Sequence, residues 1–392
     1  MRLFVLLSRV PYPLQKGDRL RAFNQIKELS KHHEITLCAL NDAPIHPQAL
    51  EKLSPYCKNI EIIHLSKSNI YLNLLNNLLF TQNSLQVAYF YNKSVKKKIH
   101  KLIEKYQPEH IYCQLIRVSE YVKDLPIPKT LDYMDALARG MERRIENGSF
   151  FLRPFLKLET IRLKRYEHEI FNYFDNKTII SDQDRKLIVH AANHHIAVVP
   201  NGVDFKKYYP IEIKKEFDII FTGNMGYPPN VMAAEYLVNE IMPIVWKTNP
   251  SINIAIVGAN PAVKVKALAS KKVVVTGFVA DMNEYYGKAK IFIAPMLIGT
   301  GLQNKLLEAM AAQLPCITST LANNALGGEH HKNIIIAEQP AQYAEQIINL
   351  LSDEALASRI AKNGNEFVKQ QFSWESSTHI LHELISKTTK NN

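Results

Sequence analysis

Residues 290–319 read KIFIAPMLIGTGLQNKLLEAMAAQLPCITS, which combines an apolar run, a loop with two glycines, an amphipathic segment and a second apolar run. The pattern predicts a strand at 290–295, a helix at 302–312 and a strand at 315–319. Two strands joined through a helix lie parallel in one sheet, because the helix carries the chain back to the edge where the first strand began. The stretch therefore predicts a parallel α/β sheet.

The same alternation of apolar strands and helices extends over both halves of the chain. In the first half the pattern predicts strands at 3–7, 34–40, 60–65, 110–114 and 177–181, and a strand followed by a loop at 129–136. In the second half it predicts strands at 217–223, 252–258, 272–279, 290–295, 315–319 and 333–337. Such alternation is typical of two similar α/β domains, each with helices on both faces of a parallel sheet.

The domain boundary is predicted in the polar, turn-rich segment 201–216, which lacks periodicity. We expect one domain at 1–203, a second at 204–372 and a final helix within 373–392. With 392 residues, of which 46% are hydrophobic, the chain is long and apolar enough for two cores.

The formal net charge of +11 favours an acidic partner, either an anionic lipid surface or a phosphorylated substrate. We expect no nucleic-acid partner, because the sequence has no zinc-finger or RNA-binding signature. The basic residues concentrate at 92–106 and 139–165, where the alternative is simply solvated helix faces. Residues 70–80 form an amphipathic segment that either lies at a membrane interface or packs on the sheet.

Cysteine spacing and hydropathy exclude several other classes. The cysteines are far apart and match no metal spacing, so we expect buried thiols and no metal site: Cys38, Cys57, Cys113 and Cys316. The apolar run near Met1 is short for a signal peptide, and no run reaches the ~18 apolar residues of a membrane-spanning helix. We therefore expect a cytoplasmic protein, with peripheral attachment to the inner face of the cell membrane as an addition.

The glycine loop and helix at 299–312 have the features of an anion site. Gly299 and Gly301 let the backbone approach a ligand, and the first N–H groups of the helix favour an anion. Lys305, in the first turn, opposes the helix dipole unless a phosphate lies there. Glu308 lies on the same face and is able to accept hydrogen bonds from sugar hydroxyls. The spacing suits a ribose–diphosphate, and the alternative is an exposed Lys–Glu pair.

Two further loops follow predicted strands in the second half. FTGNMGYPPN, at 221–230, offers Gly223 and Asn224 to a ligand, although Asn230 alternatively just caps a helix. VTGFVADMNEYY, at 275–286, places Phe278 at a strand end, where it either stacks on a base or belongs to the core. The sequence has no GxGxxG motif after a strand and no P-loop, which argues against dinucleotide enzymes and P-loop NTPases.

Taken together, these segments resemble the GT-B glycosyltransferases, specifically glycosyltransferase family 4 and a subgroup tied to exopolysaccharide synthesis. The resemblance covers essentially the whole chain and is carried by PYPLQKGDRLRAFNQIKELSKHHEITL, VVPNGVD, IIFTGNMGYPPNV, VTGFVADMNEYYGKAKIFIAPM and KLLEAMAAQLP. It implies two Rossmann-like domains that face each other across a cleft, with a last helix that crosses back to the N-terminal domain. It implies a nucleotide-sugar held mainly by the C-terminal domain and an acceptor on the N-terminal domain. It also implies transfer with retention of configuration, and no metal or other cofactor.

Carried over by position, the resemblance implies that Glu308 binds the ribose and that Lys305 binds the diphosphate. It adds a donor-binding set made up of Gly17, Gly223, Asn224, Phe278, Val279, Thr300, Gly301, Leu302 and Gln303. In that set, Phe278 and Val279 flank the base, and Gly17 belongs to the other domain.

The sequence departs from the family pattern at several positions. Thr300 stands where many members have a glutamate, and Gln303 where an arginine is common, so Lys305 carries most of the charge against the diphosphate. A histidine of the N-terminal cleft is missing. The segment LDYMDALARG offers Asp132 and Asp135 instead. Asp135 either orients an acceptor hydroxyl, a catalytic role, or caps a helix.

The resulting expectation is transfer of a sugar from a nucleoside-diphosphate donor to a glycan or lipid-linked acceptor in cell-surface polysaccharide synthesis. Two alternatives stay open. One is a sugar-nucleotide epimerase of the same fold, which releases a free epimer without an acceptor. The other is a catalytically silent scaffold of a polysaccharide-assembly complex.

Overall fold

The computed structural model describes residues 1–81, 83–147, 152–298 and 301–390. The chain divides into two compact units. The first unit comprises Met1–Pro200 together with Ser377–Asn392, and the second comprises Asn201–Ser376.

The first unit is built on a parallel sheet with strand order β3-β2-β1-β4-β5-β6-β7. Its strands are β1 Arg2–Leu7, β2 Glu34–Asn41, β3 Asn59–His64, β4 His110–Gln114, β5 Lys129–Asp132, β6 Asn176–Ile179 and β7 Ala197–Val198. The central strand β1 pairs on one side with β2, Leu3 opposite Ile35, and on the other with β4, Leu3 opposite His110. Its apolar residues are buried because helices cover both faces of a parallel sheet.

Eight helices of the first unit precede β7 in the described part of the chain: α1 Gly17–Leu29, α2 Ala49–Leu53, α3 Lys67–Phe80, α4 Leu85–Phe90, α5 Lys93–Tyr106, α6 Leu137–Asn147, α7 Arg153–Ile170 and α8 Asp182–Leu187. Several begin at a side-chain cap. Asn92, for example, accepts hydrogen bonds from the N–H groups of Ser94 and Val95 at the start of α5.

The apolar residues of β1 divide between two core layers. Phe4 and Leu6 pack in the layer that contains α5 and α7, whereas Leu3, Val5 and Leu7 face the layer that contains α1. The split follows from the two-residue period of a strand. All four cysteines are buried free thiols, as predicted, and burial raises the pKa of Cys38 to about 12.

The second unit has its own parallel sheet with strand order β10-β9-β8-β11-β12-β13. Its strands are β8 Phe217–Thr222, β9 Ile254–Val257, β10 Val273–Gly277, β11 Ala289–Ala294, β12 Cys316–Thr318 and β13 Ile335–Ile336. Its helices are α9 Pro228–Tyr236, α10 Met242–Thr248, α11 Val263–Lys266, α12 Met282–Gly287, α13 Asn304–Ala311, α14 Thr320–Leu326, α15 Pro340–Ser352 and α16 Glu354–Gln371. A π-helical turn, Leu237–Ile241, joins α9 to α10.

The last helix, α17 Trp374–Lys390, starts in the second unit and continues in the first. Leu381 and Ile385 are fully buried in the core layer that contains α1. Asn176, at the start of β6, donates through Nδ2 to Leu384 O at 3.1 Å. The prediction that the final helix returns to the N-terminal half is thus confirmed.

The predicted fold class, two parallel-sheet α/β domains, is confirmed, and the differences lie in element bounds. The helix predicted at 302–312 spans Asn304–Ala311, because the chain is extended at Gln303 before the helix begins. The first helix after β8 begins at Pro228, two residues before Asn230, and changes to π-helix at Leu237. Within the described residues, no helix is both long and apolar enough to cross a bilayer.

Candidate functional site

The strand order of the second sheet reverses between β8 and β11. From β8 the chain continues to β9 and β10 on one side, and from β11 to β12 and β13 on the other. Loops that leave the carboxyl ends of two such strands diverge and open a crevice, the usual ligand site of open α/β sheets. Here the crevice is bordered by the loop after Thr222 and by residues 295–298 and 301–303, which precede α13.

Lys305, the second residue of α13, reaches into this crevice. Its Nζ donates to Asn230 Oδ1, lies 3.7 Å from Met296 Sδ, and lies 4.9 Å from the centre of the Phe221 ring. In the part of the chain that the structure describes, no carboxylate forms a salt bridge with Lys305. Burial lowers the pKa of its ammonium group to about 7, while Glu308 acts in the opposite direction.

Glu308, one helical turn further, is held by Tyr286 of α12. Its Oε2 accepts a hydrogen bond of 3.0 Å from the hydroxyl of Tyr286, whose oxygen is 3.0 Å from Thr222 Oγ1. Burial raises the pKa of Glu308, and the hydroxyls of Tyr286 and Tyr208 oppose that shift. Lys305 and Glu308 are both half-buried with separate partners, so the alternative of an exposed pair is wrong.

The start of α13 is shaped by the residues just before it. Gln303 is extended, with φ −88° and ψ 98°, and its Nε2 donates to Gly301 O at 2.9 Å. A Cβ at Gly301 would meet no atom within 4 Å, so the backbone there borders open space. Leu302 packs partly on the core. Thr300 and Gly299 lie outside the described residues.

Close backbone packing forms the floor of the crevice. Gly223 has φ +156°, and a Cβ on it would lie 2.7 Å from Asn230 Nδ2. A Cβ on Gly258 would lie only 1.7 Å from Gly223 O. The two strand ends therefore require glycine for close approach and for the backbone conformation.

Asn230 is the main correction to the sequence reading of this region. The alternative that Asn230 caps a helix is wrong, because α9 already begins at Pro228 with Tyr227 before it. Its side chain instead bridges two segments, because Nδ2 donates to Asn224 O at 2.9 Å and Oδ1 accepts from Lys305. Asn224 itself is exposed, and its Oδ1 accepts from Gly226 N at 3.1 Å.

The segment after β10 leaves Phe278 in solvent. Its side chain is 68% exposed, so the alternative that it belongs to the core is wrong. Val279 packs partly against the core of the second unit. Gly277 before them has φ +78°, a left-handed conformation that turns the chain at the strand end.

The remaining site residues predicted from sequence lie in the first unit. Gly17 is the exposed first residue of α1, and Asp135 is exposed in the loop after β5. Asp132 is fully buried instead, and Arg21 Nε donates to its Oδ2 at 2.6 Å. Glu167, a residue that the sequence analysis missed, accepts from Ala138 N at 3.1 Å at the start of α6.

The structure thus brings together Lys305, Glu308, Gly223, Gln303 and Gly301 around one crevice, with Asn230, Tyr286 and Met296 as partners that sequence reasoning did not assign. Nothing in the local sequence of NEYYGKAK ties Tyr286 to Glu308, because that pairing depends on the order of the strands. In the described part of the chain, no three histidine, cysteine, aspartate or glutamate side chains are grouped to hold a metal ion.

Comparison with known proteins finds relatives by sequence, and two of them are described here. One is a protein of Klebsiella pneumoniae described as an uncharacterized 44.6 kDa protein in the cps region, 24% identical over 95% of this chain and 96% of its own length. The other is the spore coat protein SA of Bacillus subtilis, 25% identical over 51% of this chain and 60% of that protein.

Solved structures of other proteins superpose on this chain over nearly its whole length. Sucrose-phosphate synthase from Thermosynechococcus elongatus superposes with a TM-score of 0.73 at 15% identity and covers 100% of both chains. HepE of Anabaena, solved in complex with UDP and glucose, superposes with a TM-score of 0.68 at 15% identity, covering 98% of this chain and 99% of its own. Residues 216–353 match the family model described as glycosyl transferases group 1. The chain therefore has the GT-B fold, and part of its second unit, residues 216–353, is similar to the glycosyl transferases group 1 family.

Proposed function

We propose that this protein is a retaining glycosyltransferase that moves a sugar from a nucleoside-diphosphate-sugar to a glycan or lipid-linked acceptor. The observation that carries the proposal is that Lys305 and Glu308 lie on one face of α13, at the point where the strand order of the second sheet reverses. A half-buried ammonium group held by an amide oxygen and a thioether, without a carboxylate, suits an incoming anion.

In this proposal the diphosphate rests at the start of α13. The N–H groups of the first helical turn have no intrahelical partners and point toward the anion. Lys305 adds a positive charge, and the bound phosphate in turn stabilises the protonated lysine, which raises its pKa from about 7. Glu308 accepts hydrogen bonds from the ribose hydroxyls, and Phe278 and Val279 flank the base.

The chemical step breaks the bond between the anomeric carbon and the diphosphate oxygen, and the acceptor oxygen forms a new bond to the same face of that carbon. Negative charge builds on the leaving diphosphate, where Lys305 and the helix N–H groups are already oriented to stabilise it. The acceptor proton passes to the leaving phosphate oxygen, so the step is balanced without a protein base and without a metal ion.

Several observations on related proteins support the choice of substrate and process. The HepE structures hold UDP, and one holds UDP-glucose, which favours a nucleotide-sugar donor here. The cps-region relative favours a role in cell-surface polysaccharide synthesis. On this basis we assign donor binding to 204–372 and acceptor binding to 1–203, where Asp135 orients the acceptor hydroxyl.

The test is a panel of UDP-, GDP-, ADP- and dTDP-sugars, first by thermal shift and then by turnover with and without membrane extract. The proposal expects one donor to stabilise the protein and acceptor-dependent release of the nucleoside diphosphate. Nucleotide release with a free epimer and no acceptor would identify the epimerase instead. If no sugar nucleotide binds and no nucleotide is released, the result would favour the catalytically silent scaffold.

A further inference from the structure

Helix α3 turns two asparagines and two apolar residues toward the protein. Asn73 donates through Nδ2 to Tyr91 O at 2.9 Å and also to Ala88 O. Asn77 is buried, and its Oδ1 accepts from the hydroxyl of Thr81 at 2.6 Å. Ile70 and Leu74 complete this inner face. The two amides are therefore used in contacts within the protein, whereas Ser68, Asn69 and Asn76 are exposed.

The opposite face of α3 carries large apolar side chains in solvent: Tyr71, Leu72, Leu75, Leu78 and Leu79, which are 41–70% exposed. They follow the spacing of three and four residues that places side chains along one stripe of a helix. A stripe of this kind costs free energy in water and marks an interaction surface. Helix α3 thus packs on the protein through one face and exposes its leucines on the other.

Helix α7 continues this apolar surface. Phe155, Leu158 and Ile161 are exposed at a spacing of three residues. Arg162 Nη2 donates to Thr81 O at 3.1 Å, at the carboxyl end of α3. Glu159 is buried and accepts from Ser84 Oγ at 2.7 Å, just before α4. These contacts fix the stripe of α7 beside the end of α3 within the first unit.

Most of the charged residues around the two stripes are basic. Residues 62–103, which include α3 and most of α5, contain six lysines and no aspartate or glutamate. On α7, Arg153 and Lys157 are exposed beside the apolar stripe, and the exposed Arg165 forms a salt bridge of 3.5 Å with Glu169. The partner must therefore be apolar and negatively charged. A second copy of the chain fits poorly, because a two-fold contact would bring the same basic residues face to face.

We propose that the stripes of α3 and α7 form a docking surface for an anionic lipid bilayer. The leucines, Phe155 and Ile161 enter the interface between headgroups and acyl chains, and the flanking lysines and arginines contact the lipid phosphates. This inference does not depend on the proposed function, because it concerns the first unit and is measured without a sugar donor.

The test is sedimentation of the full chain with vesicles of phosphatidylcholine alone or mixed with phosphatidylglycerol. We expect binding to the anionic vesicles that weakens with added salt, and little to the neutral ones. The combined variant Leu72→Gln, Leu75→Gln and Leu79→Gln should bind at least about tenfold more weakly, since each leucine contributes buried apolar area. Leu50→Gln, at a leucine that is 52% exposed on α2, is the matched control and should bind like the unaltered protein.

Thermal unfolding of the triple variant tells loss of binding from loss of folding; all three leucines are exposed, so its melting temperature should stay unchanged. If the triple variant unfolds, Lys157→Gln with Arg165→Gln provides the second test and should reduce the preference for anionic vesicles. Equal binding to neutral and anionic vesicles would overturn the proposal. So would a dimer, seen by analytical ultracentrifugation, that the triple variant converts to monomers without any effect on lipid.

Discussion

At the scale of single residues, Lys305 is the side chain whose position is hardest to explain without a ligand. A cation in the first turn of a helix opposes the helix dipole, and burial has lowered its pKa to about 7. We expect Lys305→Ala to reduce turnover by ~100-fold, the effect of removing one preorganised donor at a developing anion. Steady-state kinetics with the donor found in the panel measures this.

The matched control is Lys290→Ala on β11, a lysine that is exposed and forms a salt bridge of 2.8 Å with Asp218. This variant should keep turnover within about twofold, because exposed ion pairs contribute little. If both variants retain full turnover, Lys305 has no role at the diphosphate.

The pKa of Lys305 also gives donor binding a defined pH dependence. Below about pH 7 the lysine of the free protein is protonated and ready for the diphosphate, and above it the proton must be taken up on binding. The dissociation constant of the nucleotide-sugar should therefore rise at least about tenfold from pH 7 to pH 9. Calorimetric titration measures it, and in Lys305→Met the constant should be higher but nearly flat over this range. A flat profile in the unaltered protein would contradict the prediction.

At the scale of elements, the ends of β9 and β10 in the second sheet depend on glycine to different degrees. Gly258 has φ +148°, and its Cβ would collide with Gly223 O at 1.7 Å, whereas Gly277 has φ +78° and open space around it. We expect Gly277→Ala to cost about 1–2 kcal/mol, the strain of a left-handed residue. Gly258→Ala should cost more than about 4 kcal/mol, because backbone must move. Urea unfolding measures the loss of unfolding free energy in each variant. Equal losses would contradict the prediction that Gly258 depends on glycine more than Gly277 does.

The helices and strands also show what the hydrophobic pattern of the sequence can predict. The spacing in 290–319 predicted a strand, a helix and a strand that the structure contains, since hydrophobic period and glycine placement are local properties. The start of α13 was misplaced by two residues, because the extended Gln303 is held by its own contact with Gly301. For α3, the pattern predicted an amphipathic segment but not which of its faces is exposed. The contacts that decide this join Asn73 and Asn77 to residues beyond the end of the helix.

At the scale of the whole molecule, α17 is attached to the first unit partly through histidines. His33 Nε2 lies 2.9 Å from His382 Nδ1, and His110 lies between Thr130 and Thr389. Burial lowers the pKa of His33 and of His110 to about 4, and His382 adds to the effect on His33. The folded protein therefore keeps both rings neutral where the unfolded chain, with an ordinary pKa near 6.5, binds protons.

Stability supplied by these groups is present above about pH 6.5 and is lost as the pH falls toward 4. At pH 5 we expect each histidine to have reduced the free energy of unfolding by up to about 2 kcal/mol. His33→Gln should remove part of the decrease measured between pH 7.5 and pH 5, and hydrogen exchange in α17 should slow at pH 5 in that variant. An unchanged decrease would show that other groups cause it. The exposed His331→Gln is the control.

The sequence by itself determined the alternating strands and helices, the two α/β domains, and the placement of Lys305 and Glu308 on one helix face. These features arise from neighbours within a few residues, where periodicity and turn preference act. Only the tertiary structure decided that Asn230 holds Lys305, that Tyr286 holds Glu308, and that Asp132 is buried against Arg21. Those pairs are 75, 22 and 111 residues apart along the chain, and they meet because strand order, which no local pattern encodes, sets which loops leave the sheet side by side.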